Sequence, residues 1–83
     1  MANREAVEAY MNLVASPGWT KMWREIIQAK LATSRTQLLT DESLTPERRL
    51  GLVLARNYLS QIVADTYKAA ETELPTYFKE LFA

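Results

Sequence analysis

Apolar residues recur along this chain at helical spacing in four blocks, separated by polar or proline-bearing breaks. In the first block Val7, Tyr10, Met11 and Val14 fall at i, i+3, i+4 and i+7, one face of a helix expected over about residues 4–15. Asn3 is placed to cap it, and Glu5 and Glu8 lie in its first turns, where the helix dipole favours acid. A helix of about three turns does not stand alone in water, so this one must dock on something.

Ser16-Pro17-Gly18-Trp19 starts the second block. Pro17 disfavours helical geometry at Ser16, and Ser16 is free to cap a helix running from Pro17 to about Leu39. Trp19, Met22, Trp23, Ile26 and Ile27 give this helix a dense apolar face, which Leu31, Leu38 and Leu39 continue more thinly. Lys21, Arg24, Gln28 and Arg35 occupy the other side. The connection Thr40–Leu44 is short and polar, which makes the next helix an antiparallel neighbour.

That third helix is expected over 46–73, about 42 Å long. Thr45 caps it, Pro46 suits its first position and Glu47 its first turn. Its apolar residues, from Leu50 through Tyr58 and Ile62 to Ala70, are too many for one stripe, so it must be covered from more than one side. Gly51 costs about 1 kcal/mol against alanine at a helical site. Either the first turns tolerate it or another helix approaches closely there, and Ala55 four residues on keeps the same face small. Leu74-Pro75 ends the helix, and Thr76 to Phe82 form a last turn or two carrying Tyr77, Phe78, Leu81 and Phe82. The expected fold is one all-α domain over residues 1–83, an antiparallel helical hairpin of 17–39 and 46–73, with a short helix at each end (4–15 and 76–82).

Composition then removes most chemistry. There is no cysteine and no histidine, so there is no thiolate, no disulfide, and neither the commonest metal ligand nor the commonest general base. The acidic pairs Glu5/Glu8 and Asp41/Glu42 are explained by the helix dipole and by loop solubility. With only Gly18 and Gly51, no glycine-rich phosphate loop exists. No catalytic residue, metal ligand or cofactor site is assigned, and the chain is read as a non-enzyme.

Ten basic residues balance ten acidic ones. Arg35, Arg48, Arg49 and Arg56 form a candidate basic surface, but a neutral domain lacks the footprint of a phosphate-binding protein, which speaks against nucleic acid as a partner. No apolar run approaches the roughly 20 residues of a membrane span, and the N-terminal residues do not resemble a signal peptide. A cytoplasmic, non-secreted protein with no membrane partner is expected. The aromatics are more informative. Trp19, Trp23, Tyr67, Tyr77, Phe78 and Phe82 are brought to one end by the hairpin, where they form the core of the domain or, in part, an interface. Trp19, Trp23, Gly51, Tyr58, Tyr77, Phe78 and Phe82 are therefore the candidate protein-interface residues.

Ser16-Pro17-Gly18-Trp19, followed by a polar loop and Arg49-Leu50-Gly51 near the start of the partner helix, resembles a group of small uncharacterised tailed-bacteriophage proteins. They share a Gly-Trp helix start and an Arg-x-Gly before the second long helix. The resemblance covers about residues 16–65. It implies a virion or morphogenesis role, in the host cytoplasm or the assembled virion. Together these features predict a structural or assembly protein of phage type, acting as a homo-oligomer or docked on a larger partner. The alternatives are a small inhibitor or adaptor that binds a host enzyme or defence complex, and a weak nucleic-acid-binding module.

Overall fold

The computed structural model describes residues 3–83. Helix α1 spans Arg4–Ala15. Helix α2 runs without a break through Pro17–Met22, a π-helical segment Trp23–Ile27, and Gln28–Thr40. Helix α3 spans Pro46–Ala69 and α4 spans Thr76–Leu81. Among the described residues there is no strand, so the protein is all-α.

Side-chain caps set the helix starts. Asn3 Oδ1 accepts from the Glu5 N–H at 2.9 Å, Ser16 Oγ from the Trp19 N–H at 3.2 Å, and Thr45 Oγ1 from the Arg48 N–H at 3.2 Å. All three residues hold extended backbone, and each relieves one of the orphan donors of its helix.

The π-helical segment has a cause in the spacing of the apolar residues. Trp19, Trp23, Ile27 and Leu31 are each four apart, and in an α-helix every step of four overshoots one turn by about 40°. Three such steps would carry Leu31 about a third of the way round from Trp19. The wider turn, in which the Gln28 N–H reaches back five residues to the Trp23 carbonyl, takes up this drift. Trp23 and Leu31 both end up buried, with Trp19 and Ile27 half-buried between and beside them. Met22 and Ile26 are turned outward instead, 37% and 54% exposed. The dense face expected from five residues is therefore narrower, because a helix wound to bury the four-spaced set cannot also bury their neighbours.

Helix α3 stops four residues earlier than its sequence suggests. The Glu71 N–H bonds the Lys68 carbonyl and the Thr72 N–H bonds the Tyr67 carbonyl, both at 3.0 Å, with Glu71 at φ 51°. This is a Schellman ending with a non-glycine residue in the left-handed position. The turn buries Ala70 completely and swings Leu74 and α4 back across the ends of α2 and α3.

The core is the product of that return. Trp23, Val63, Tyr67 and Phe78 are its buried centre, with Val14, Trp19, Ile27, Leu59, Leu74, Tyr77, Leu81 and Phe82 packed around them. None of these comes from residues 28–58, so the core lies at one end. The molecule is accordingly long, 49 × 26 × 17 Å. Its radius of gyration of 15.1 Å exceeds the roughly 12 Å expected of a compact chain of this length.

Candidate interaction surface

The aromatic candidates form a single interlocked group. Phe78 has Trp23 at 5.5 Å, Tyr67 at 5.5 Å and Tyr77 at 5.2 Å between ring centroids. Trp23 also meets Trp19 at 5.6 Å and Phe82 at 6.0 Å, both edge to face. Trp19 Nε1 donates to Tyr67 Oη at 3.0 Å, which ties the start of α2 to the end of α3. The Tyr77 hydroxyl donates to Gln28 Oε1 at 2.8 Å and lies 3.4 Å from the Trp23 carbonyl, so α4 is latched to the π-helical turn. The Arg24 guanidinium covers the outer face of the Tyr77 ring at 4.9 Å. Of the seven interface candidates, Trp19, Trp23, Tyr77, Phe78 and Phe82 thus stand in the chain's own core. Trp23 Nε1 is the one buried side-chain polar atom, among the described residues, without a hydrogen-bond acceptor.

The four arginines divide in two. Arg49 reaches from α3 to the end of α2, where Nη1 donates to the Leu38 carbonyl and Nη2 to the Asp41 carbonyl at 3.3 Å. Those carbonyls belong to the last turn and its exit, whose acceptors have no partner within the helix and carry the negative end of the dipole. Arg56 Nη1 donates to the Leu31 carbonyl at 3.2 Å. Both side chains are half-buried cross-links between α2 and α3, while Arg35 and Arg48 remain exposed. The expected four-arginine surface is therefore split, because two of its members serve helix carbonyls. In the loop between the helices, Ser43 Oγ and N–H donate to Asp41 Oδ1 at 2.5 and 2.9 Å. The Ser43 bonds, with help from Arg48 and Arg49, hold the Asp41 carboxyl below the usual carboxylate range.

Gly51 and Tyr58 are elsewhere, on the outer side of α3. Tyr58 is 64% exposed, and Leu54 and Ile62, absent from the sequence candidates, are exposed beside it. A Cβ added to Gly51 would meet nothing within 4 Å. Of the two readings of Gly51, the close approach is not made by any described residue of this chain. The signal for the face was available in the spacing. Gly51, Ala55, Tyr58 and Ile62 follow steps of four, three and four, the a/d alternation of a helix seam.

Two open grooves flank the core. One of about 290 Å³ is lined by Gln28, Leu31, Arg35, Arg56, Tyr77 and Glu80. The other, about 430 Å³ and mostly apolar, lies between Met11, Val14, Arg24, Tyr67, Pro75 and Phe78. Among the described residues no three acidic side chains gather as a metal site, and no helix is long and apolar enough to cross a membrane. No protein-family model, no curated protein and no solved structure matches this chain.

Proposed function

We propose that the protein is a non-catalytic structural or assembly module, which works by helix-mediated association with itself or with a larger partner. The observation that carries this reading is the outer side of α3, where Leu50, Leu54, Tyr58 and Ile62 are 58%, 45%, 64% and 54% exposed. The whole chain exposes 6167 Å², against the roughly 5,000 Å² expected of a 9.5 kDa monomer. A row of exposed apolar side chains along one helix, four residues apart, marks an interaction site in a soluble protein. Within the module α2 and α3 form an antiparallel hairpin. In support, residues progressively later in α2 (Trp23, Leu31, Leu38) pair with residues progressively earlier in α3 (Val63 and Tyr67, Arg56, Arg49). The phage-type assignment is supported by the resemblance over residues 16–65.

Light scattering across a dilution series, with helical circular dichroism recorded alongside, tests the reading. A multiple of the chain mass that falls to the monomer only on dilution is the expected result. A folded monomer at every concentration would refute self-association and leave docking on a larger partner, as in an adaptor. For such an adaptor, the incorporation of Tyr77, Phe78 and Phe82 in the core leaves α3, not the C-terminal segment, as the docking element.

A further inference from the structure

We propose that the partner of α3 is a second copy of this chain, laid antiparallel along the stripe Arg48, Gly51, Ala55, Tyr58, Ile62 and Asp65. This rests on the self-association reading above and specifies its surface, register and orientation.

All six residues are exposed. Their spacing of three, four, three, four, three is the seam of a coiled coil, so the stripe stays in line with a partner helix over about 27 Å. The order of the residues decides the orientation. With a two-fold axis between Arg56 and Asn57, Gly51 lies opposite Ile62 of the second copy, Ala55 opposite Tyr58, and Arg48 opposite Asp65. Every small residue then receives a large one and every charge meets its opposite. The open space over Gly51 is where the second copy's Ile62 fits. A parallel pairing in the same register would set Gly51 on Gly51, Tyr58 on Tyr58, Arg48 on Arg48 and Asp65 on Asp65. That leaves a gap at one layer, a clash at another and like charges at both ends. Arg48 and Asp65 take part in neither of the two ion pairs found among the described residues, Arg4–Glu8 and Arg4–Glu71.

The area agrees with a reversible dimer. The exposed parts of Leu54, Tyr58 and Ile62 come to about 300 Å² of apolar surface per copy, the lower end for a functional patch. Leu50 lies outside the stripe, about 110° round the helix from its centre. With polar flanks, two copies would bury about 1,000 Å² or somewhat less, the size of a weak, transient interface. A reversible, concentration-dependent association is expected of an interface of that size.

The test uses the full chain and charge reversal. Arg48→Asp and Asp65→Arg each place two like-charge pairs across the dimer, and each should weaken it about tenfold, as judged by sedimentation equilibrium. An equimolar mixture of the two variants forms a heterodimer with opposite charges at both ends, which in the antiparallel pairing only restores the parental arrangement. A parallel pairing, like-charged in the parent, would be unaffected by either single reversal and would bind more tightly than the parent in the mixture. For the antiparallel dimer the mixture, and separately the double variant R48D/D65R, should therefore recover the parental affinity. Gly51→Leu fills the space meant for Ile62 and should weaken the dimer at least tenfold, yet leave the monomer as helical and at least as heat-stable. A parental chain that is monomeric at hundreds of micromolar would overturn this proposal and the self-association reading together. A parental oligomer that is indifferent to charge reversal, or a mixture that fails to recover, would overturn the antiparallel register alone.

Discussion

Truncating Phe78 to alanine should nearly unfold the protein. Phe78 is 4% exposed and sits within 6.4 Å, centroid to centroid, of Trp19, Trp23, Tyr67 and Tyr77. Phe→Ala in a packed core costs about 3–5 kcal/mol, the transfer term plus the cavity. The four aromatic neighbours, each worth about 0.5–1.5 kcal/mol beyond area, put this site in the upper half of that range. The surrounding shell has little freedom to collapse, since Tyr77 is fastened to Gln28 and Trp19 to Tyr67. For an 83-residue domain the whole stability is about 4–12 kcal/mol, so one substitution removes a third of it or more. The melting temperature should fall by some 15 °C or more, on a scale of about 4–8 °C per kcal/mol. Urea unfolding followed by far-UV circular dichroism, with near-UV signal from Trp19 and Trp23 as the packing probe, measures it. Deleting residues 75–83 should be at least as severe, because it also removes Tyr77, Leu81 and Phe82 from the core. A Phe78→Ala chain that loses less than about 1 kcal/mol would refute the reasoning. The last helix would then be a separable arm rather than a wall of the core.

Other substitutions test single features. Tyr67→Phe should cost about 1 kcal/mol by leaving Trp19 Nε1 without its acceptor. Trp19→Phe combined with it in a double-mutant cycle should show a coupling of similar size, and additive behaviour in urea melts would deny the bond. Glu71→Gly should stabilise the chain by about 1 kcal/mol, because it removes the left-handed strain, while the exposed Arg4–Glu71 pair it gives up is worth less. A lower melting temperature would count against the strain. Arg49→Ala should destabilise by about 1–2 kcal/mol, by uncovering the Leu38 carbonyl at the end of α2 and leaving the Asp41 carbonyl only its long bond from the Leu44 N–H. Arg48→Ala, exposed one residue away, should do almost nothing to the monomer melt.

Which features were legible in the sequence follows from how local their causes are. Asn3, Ser16 and Thr45 cap helices through atoms two or three residues away, so residue type and position suffice to read them. The all-α class needs only apolar spacing and the breaks at Pro17, Pro46 and Pro75. The π-helical turn was encoded too, in the four-spaced set Trp19, Trp23, Ile27 and Leu31. A reading tied to 3.6 residues per turn instead spreads that set into a broad face with Met22 and Ile26. The end of α3 was hidden for another reason. Glu71 is a poor left-handed residue, and what holds it there is the burial of Ala70, Leu74 and Phe78 by the returning chain. Pro75 marks where a helix cannot continue, not where folding back becomes worthwhile. Arg49 and Arg56 looked like surface charge because their acceptors are backbone carbonyls, which no side-chain pattern reveals.

The uneven distribution of the core also says which part of the molecule a partner would stabilise. At one end, Trp23, Val63, Tyr67, Ala70 and Phe78 are sealed by four helices and a turn. In the other half, over residues 28–58, Leu31 is the only buried side chain, and α2 and α3 are tied by the Arg49 and Arg56 bonds to carbonyls. Hydrogen bonds of this kind are worth about 1–2 kcal/mol each, little against the entropy of two helical arms. Amide exchange in dilute protein should therefore run fastest over residues 32–57 and slowest around Val63 and Tyr67. The stripe from Arg48 to Asp65 overlaps the thin half, so an antiparallel second copy would cover the helix that the chain itself leaves bare. Exchange over residues 48–58 should slow as protein concentration rises, while the rate at Val63 changes little. Uniform protection along α3 at low concentration would contradict the gradient, and a rate over 48–58 that ignores concentration would contradict its link to association.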